Sequence, residues 1–381
     1  MSVLLSFVTH LISFIAFATE SFKITTSQGE NGMIPDLTMT NWWAWLVCVA
    51  CLAVGVLMLW KCSDIFVDGA ASIAKKLKVS TMIIGLTVVA FGTSCPELAV
   101  SVSDSISCLI AGGNANVAIG NVVGSNICNI LVVLGISAVF TPIVVKKSTL
   151  KKELPIMLGA TALCVLFVLL FDASTGEHAV LRWEGIILVV GIIAYVSYLV
   201  LSARSQAKKG LNLETENDEI KDMSTPKAIL FTIFGLIGVI VGGEAVVYGA
   251  KNAATGIGTA AGLNPDLVES LVGLTIVAVG TSLPELIVSA NAARHGQNDI
   301  ALGNVIGSNI FNILFVLGIA STVNPLTVGN QIWVDLVVMS AASVLLLAFG
   351  LTGKIKKWGG WTFLACYAGY LAYLITRTLI S

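Results

Sequence analysis

Two short stretches of the sequence hold most of the residues that could do chemistry. Residues 85–101 read GLTVVAFGTSCPELAVS and residues 273–289 read GLTIVAVGTSLPELIVS, identical at 13 of 17 positions. Each sets a glutamate, Glu97 or Glu285, directly behind a proline, Pro96 or Pro284, within a strongly apolar run. A carboxylate deep in such a run costs about 2.5–3.5 kcal/mol on insertion scales, roughly 5–7 kcal/mol for two, so something cationic should offset it. Proline has no N–H to donate, so the carbonyls of Gly92 and Gly280 lose their helical partners and the helix must kink or open. Thr93, Ser94, Thr281 and Ser282 bring hydroxyls and further carbonyls to the same turn. Two carboxylates among neutral oxygens suit a hard cation: Ca2+ takes about six to eight oxygens in flexible, partly bidentate geometry. Soft metals would call for Cys or His.

A second pair follows the first. Residues 120–135, GNVVGSNICNILVVLG, match residues 303–318, GNVIGSNIFNILFVLG, at 13 of 16 positions, where chance gives about one or two. Ser125, Asn129, Ser308 and Asn312 supply uncharged oxygens beside the glutamates, with Asn126 and Asn309 the next candidates. Gly120, Gly124, Gly303 and Gly307 read as points of close helix approach rather than as ligands. A proline or a lone glutamate in a membrane helix is often structural, and it is the duplication that favours a functional site. Asp64 and Glu244 occupy matching places in earlier apolar runs and read as structural pairing near the membrane surface rather than as the lining of an entry path.

The elements that must position these residues follow from composition. The chain has 381 residues, 56% hydrophobic and 11% charged, with mean hydropathy +0.92, whereas soluble domains carry about 25% charged residues. A span needs about 20 apolar residues. Ten such segments lie near 43–73, 79–110, 115–141, 154–171, 183–202, 226–252, 267–292, 299–322, 331–351 and 360–380. With the first entering from outside, 16 of the 21 basic residues fall on the cytoplasmic side, which places both ends of the ten-span unit outside. Trp42, Trp43, Trp183, Trp333, Trp358 and Trp361 sit at span ends as an aromatic belt. Each motif and its copy lie five spans apart, and an odd offset inverts direction. The expected fold is therefore an all-α membrane protein of ten transmembrane helices in two inverted-topology repeats, 42–201 and 226–381, joined by a polar cytoplasmic linker at 202–225. Inverted repeats are an architecture of secondary transporters, whose substrates bind at mid-membrane where the repeats meet.

Residues 1–41 hold an apolar stretch ending in Ala16-Phe17-Ala18 and a polar segment, which reads either as a cleaved signal or as an uncleaved extra helix, without the usual basic start. Eight cysteines lie mostly in apolar runs as packing residues, the Cys48-Val-Ala-Cys51 pair included. The net charge of −1 leaves no basic surplus for nucleic acid. HExxH and GxSxG are absent, so nothing points to an enzyme or to a resident cofactor.

The duplicated G-T-S-x-P-E and G-S-N-x-x-N set closely resembles the prokaryotic sodium/calcium exchangers of the cation/calcium antiporter superfamily, over about residues 43–380. The resemblance implies a bacterial inner-membrane antiporter with Na+ and Ca2+ as substrates, the bilayer as its setting and no obligatory protein partner. It implies that spans one and six slide over the rest to give alternating access. Carried over by position, Glu97 and Glu285 with the Thr93 and Thr281 carbonyls would hold Ca2+. Ala90, Ser94, Ser125, Ala278, Ser282 and Ser308, with the same glutamates, would hold Na+, and Asn129 and Asn312 match the remaining central positions. The second of these is Asp in potassium-dependent relatives and some prokaryotic ones, so Asn312 argues against K+ co-transport. The linker at 202–225 is too short for the calcium-sensing domains of animal exchangers. A Ca2+/H+ antiporter using the same two glutamates is the nearest alternative, and a cation channel is a more distant one.

Overall fold

The computed structural model describes residues 42–111, 117–172, 177–208, 223–261, 278–329 and 332–380. The expected leader and most of the linker lie outside these residues. The chain is mostly helical: α1 (Trp42–Leu77), α2 (Thr81–Thr93), α3 (Cys95–Ala111), α4 (Val117–Phe140), α5 (Lys147–Leu169), α6 (Arg182–Lys208), α7 (Thr225–Ala260), α8 (Ala278–Gly280), α9 (Leu283–Arg294), α10 (Asn298–Val323), α11 (Ile332–Leu351) and α12 (Lys357–Ile380). Among the described residues, seven helices are long and apolar enough to cross a membrane, or eight counting the bent pair α2–α3 as one. The span expected at 267–292 is described only from residue 278, as α8 and α9, and at the last expected span lies α12, which is not one of the seven. Helix α6 runs six residues past its expected end at 202.

Two layers build the molecule. In one, α1 and α7, of 36 residues each, lie side by side through glycines. A Cβ on Gly55 would stand 2.8 Å from the Gly242 carbonyl, one on Gly249 2.8 Å from that of Cys48, and one on Gly235 2.6 Å from the Phe66 nitrogen. One residue number falls as the other rises, so these helices run antiparallel. The first ends in a Schellman turn, Val79 N–H to the Ala74 carbonyl and Lys78 N–H to that of Lys75, which holds Lys78 at φ 53°.

In the other layer α4 and α10 are innermost, with 78% and 94% of their apolar stretches buried, against 22% for α1 and 33% for α7. They are also the helices that carry the G-S-N-x-x-N copies. A main apolar core runs through α2–α6 and α10–α12 (Leu86, Ile130, Ile306, Met339, Phe363), and a smaller one joins α1 to α7 and α9 around Phe66, Val239 and Val288. Short strands tie the connections. Strand β1 (Ile143–Val144) pairs antiparallel with β5 (Lys354–Ile355), while β2 (Phe171–Asp172), β3 (Glu177–Val180) and β4 (Leu326–Thr327) form an antiparallel three-stranded sheet.

Candidate functional site

Both motif copies break their helix at the serine before Cys95-Pro96 or Leu283-Pro284. Helix α2 meets α3 at 45°. Ser94 has φ −82° and ψ 6°, and Ser282 has φ −89° and ψ 5°, the sparsely populated bridge region in which active-site residues often sit. The break puts Glu97 and Glu285 in the first turns of α3 and α9, where a helix start favours a carboxylate. Both glutamates are fully buried, at 0% exposure.

Helices α4 and α10 cross beside these breaks, and each loosens into a π-helical turn that begins at its motif asparagine, at Asn129–Val133 and Asn312–Leu317. Such turns concentrate at functional sites, and the sequence alone carried no sign of them.

The polar atoms here are under-satisfied. The Ser94 hydroxyl donates to Glu285 Oε1 at 3.3 Å. Both Glu97 oxygens, Glu285 Oε2, Ser125 Oγ, Thr281 Oγ1, Ser282 Oγ, Asn129 Oδ1 and Asn312 Oδ1 are buried without a hydrogen-bond partner. The Ser125 and Ser282 hydroxyls face Glu97 without closing a bond to it, and the Glu244 carboxylate lies within electrostatic reach. Native interiors leave few polar groups unpaired. Two buried carboxylates faced by the Ser94, Ser125 and Ser282 hydroxyls are a chemistry suited to a cation with oxygen ligands. Among the described residues no cluster of three or more His, Cys, Asp or Glu occurs, and the eight cysteines are free.

The other expected residues fall as follows. Thr93 Oγ1 donates to Asn304 Oδ1 at 3.1 Å and stands 3.5 Å from Ser308 Oγ. The Ala90 carbonyl already accepts the Ser94 N–H at 3.1 Å. Of Ala278 only the backbone is described. Asp64 accepts from Asn291 Nδ2 at 2.8 Å, whereas Glu244, expected with it in structural pairing near the membrane surface, lies within electrostatic reach of the buried Glu97. Gly303 and Gly307 do lie at a close crossing: a Cβ on Gly307 would come within 2.6 Å of Ala90 Cβ, and one on Gly303 within 2.9 Å of the Met82 carbonyl. At Gly120 and Gly124 nothing described lies within 4 Å.

Two residues escaped the sequence reading. Asn121 Nδ2 donates to the Glu97 carbonyl at 3.3 Å and to Ser101 Oγ at 3.0 Å. Asn304 Nδ2 repeats this on the Glu285 carbonyl at 3.4 Å and on Ser289 Oγ at 2.9 Å. Each pins its glutamate's backbone to the neighbouring helix. Their signal was present, since both stand in the duplicated Gly-Asn-Val.

The family model described as sodium/calcium exchanger protein matches residues 47–203 and 227–376, which takes in every site residue above. The chain belongs to that family. Sodium/calcium exchanger MaX1 of Methanosarcina acetivorans is 36% identical over 355 residues, covering 85% of this chain and 97% of the relative. Inner membrane protein YrbG of Escherichia coli is 35% identical over 283 residues, 74% of this chain and 81% of that one. Among solved structures, the sodium-calcium exchanger NCX_Mj soaked with 10 mM Na+ superposes with a TM-score of 0.69 at 35% identity, covering 86% of this chain and 99% of that one. Members of the family are transporters, and the apolar helices make this one an integral membrane protein.

Proposed function

We propose that this protein is a secondary antiporter that exchanges Na+ for Ca2+ by alternating access, with Ca2+ held between Glu97 and Glu285. The observation that carries the reading is the pair of fully buried carboxylates, one from each half of the chain, each faced by a hydroxyl of the other half's motif: Ser94 on Glu285, and Ser282 beside Glu97. One Ca2+ neutralises the two charges, as do Na+ ions spread over overlapping oxygens from Ser94, Ser125, Ser282, Ser308 and the carbonyls of Ala90, Thr93, Ala278 and Thr281. The two loads exclude each other, which is what couples the flows. Asn129 and Asn312 complete the centre as neutral donors.

The same reading includes ten spans in two inverted repeats, the connecting linker at 202–225, and both ends of the ten-span unit outside a bacterial inner membrane. Three observations support it. Equivalent helices α1 and α7 are antiparallel. The strand pairs join connections assigned to one side, β1 with β5 on the cytoplasmic face and β2–β4 on the outer face. The ion pairs Lys146–Asp299 and Arg377–Asp335, at 3.0 and 3.5 Å, also each join residues assigned to one side.

The test is 45Ca2+ uptake into proteoliposomes loaded with Na+, beside K+-loaded and acid-loaded vesicles. Uptake that requires internal Na+ is expected, abolished in Glu97→Gln and Glu285→Gln. Uptake driven by internal acid alone, or Na+-driven uptake that survives either substitution, would overturn the reading.

A further inference from the structure

An amide is an ambiguous cation ligand, because its oxygen attracts the ion and its NH2 repels it. Asn312, which matches a central position of the proposed site, is fully buried, and which end it presents is decided by what holds the other. Its Nδ2 donates to Asn126 Oδ1 at 3.2 Å. Asn126, also fully buried, in turn donates its Nδ2 to the backbone carbonyl of Asn309 at 3.4 Å. That carbonyl can only accept, so the order of the chain is forced. The Asn126 NH2 must face Asn309, its oxygen must face Asn312, and the Asn312 NH2 must turn away from the site. Asn312 Oδ1 is left buried and unpartnered.

The repeat does not reproduce the device. The mates of Asn126 and Asn312 are Asn309 and Asn129, 183 residues apart in each case. Asn309 spends its NH2 on the Val305 carbonyl of its own helix at 2.7 Å, and both side-chain polar atoms of Asn129 are unpartnered. One central amide is oriented and the other is not.

We infer that Asn126 is a positioning residue for cation binding, which fixes Asn312 as a neutral oxygen donor where a carboxylate could otherwise stand. This rests on the Na+/Ca2+ exchange reading above. Without Asn126 the Asn312 amide is free to turn and to offer its NH2 to the ion. Loss of one net hydrogen bond of orientation corresponds to a rise in Ca2+ KM of about three- to tenfold, with the maximal rate little changed.

The experiment is Na+-driven 45Ca2+ uptake by the full chain in proteoliposomes, for Asn126→Ala and for Asn126→Cys. Cysteine fills more of the space yet is a poor acceptor, so whichever variant is recovered folded carries the test. Each is also made in an Asn312→Ala background, where no amide remains to be oriented. A raised KM in the native background and no further rise in the Asn312→Ala background supports the inference. An unchanged KM, or the same rise in both backgrounds as a packing role would give, overturns it. Failure of the exchange reading is separately visible as absent Na+-driven uptake in the unsubstituted protein.

Discussion

The crossing of α2 and α10 is tight enough for one methyl group to disturb transport more than stability. In Gly307→Ala the new carbon would sit 2.6 Å from Ala90 Cβ and 3.0 Å from Leu86 Cα, whereas carbons rest about 3.5–4.0 Å apart. Neither neighbour is a flexible tip, so the helices must part by about 1 Å. Overpacking of this kind costs about 1–3 kcal/mol, and the better helix propensity of alanine returns about 1 kcal/mol. The net loss of about 0–2 kcal/mol lowers the melting temperature by only a few degrees. The site is affected more, because the same crossing holds Thr93 Oγ1 3.1 Å from Asn304 Oδ1 and 3.5 Å from Ser308 Oγ. A separation of about 1 Å takes both beyond hydrogen-bonding range. Na+-driven 45Ca2+ uptake should fall about tenfold or more, the scale on which a misplacement of about 1 Å acts, while the protein still melts cooperatively in detergent. The control is Gly159→Ala, where nothing described lies within 4 Å of the new methyl and stability should hold or rise by up to about 1 kcal/mol. Native uptake in Gly307→Ala, or an equal loss in Gly159→Ala, would refute the reasoning.

Other substitutions separate strong contacts from weak ones. Asn304→Leu removes three hydrogen bonds, to the Glu285 carbonyl, Ser289 and Thr93, at about 0.5–1.5 kcal/mol each. It should reduce uptake and melting temperature more than Asn121→Leu, which removes only two, and the reverse order would contradict the assignment. Asn291→Ala removes the donor to Asp64 Oδ1 at 2.8 Å and to Ser63 Oγ at 3.1 Å and should lower thermal stability. Asn291→Asp, which sets like charges together, should lower it further, and a better-tolerated Asp would mean that the bond is not formed. Lys146→Ala should change stability by no more than about 1 kcal/mol, with the effect fading at high salt, because the lysine side chain is 39% exposed in its pair with Asp299.

The sequence made the site legible through duplication. One Gly-Thr-Ser-x-Pro-Glu has a structural explanation, and two that also share Gly-Ser-Asn-x-x-Asn do not. Proline chemistry led to a kink or opening at the carbonyls of Gly92 and Gly280, because a missing N–H is a local property, and the helices break two residues on, at Ser94 and Ser282. Asn121 and Asn304 were harder to see, since their work is on the backbone carbonyls of residues 24 and 19 positions away, a relation that no periodicity encodes. The π turns at Asn129 and Asn312 were invisible for a similar reason: the same residues suit an α-helix, and packing selects the wider turn. Glycine roles divided too, since Gly-x-x-x-Gly strings that differ only at Val123 and Ile306 leave Gly303 and Gly307 against α2, while nothing described approaches Gly120 and Gly124.

The inequality of the two halves is itself informative. Ser94 reaches Glu285, but Ser282 Oγ has no partner. Thr93 is bonded to Asn304, but Thr281 Oγ1 is unbonded, and Asn312 rests on Asn126 while Asn129 rests on nothing. The shape of the break does not cause this, because the turns at Ser94 and Ser282 have nearly the same dihedrals, −82° and 6° against −89° and 5°. What differs is how the helices are set against one another and the neighbours Cys95/Leu283 and Cys128/Phe311. On the exchange reading, two halves with the same residues and different partners are one arrangement of a pair whose alternative exchanges the roles. A bound ion can move such an equilibrium only by its differential affinity for the two arrangements. On the exchange reading that difference sits at the unequal groups. Ser94 donates to Glu285 at 3.3 Å, while Ser282 faces Glu97 without closing a bond, so a cation entering between the glutamates meets a formed bond on one side and a looser contact on the other. The same competition with roles exchanged would hold in the opposite state, which is how a nearly symmetric sequence can load from either face through a single site.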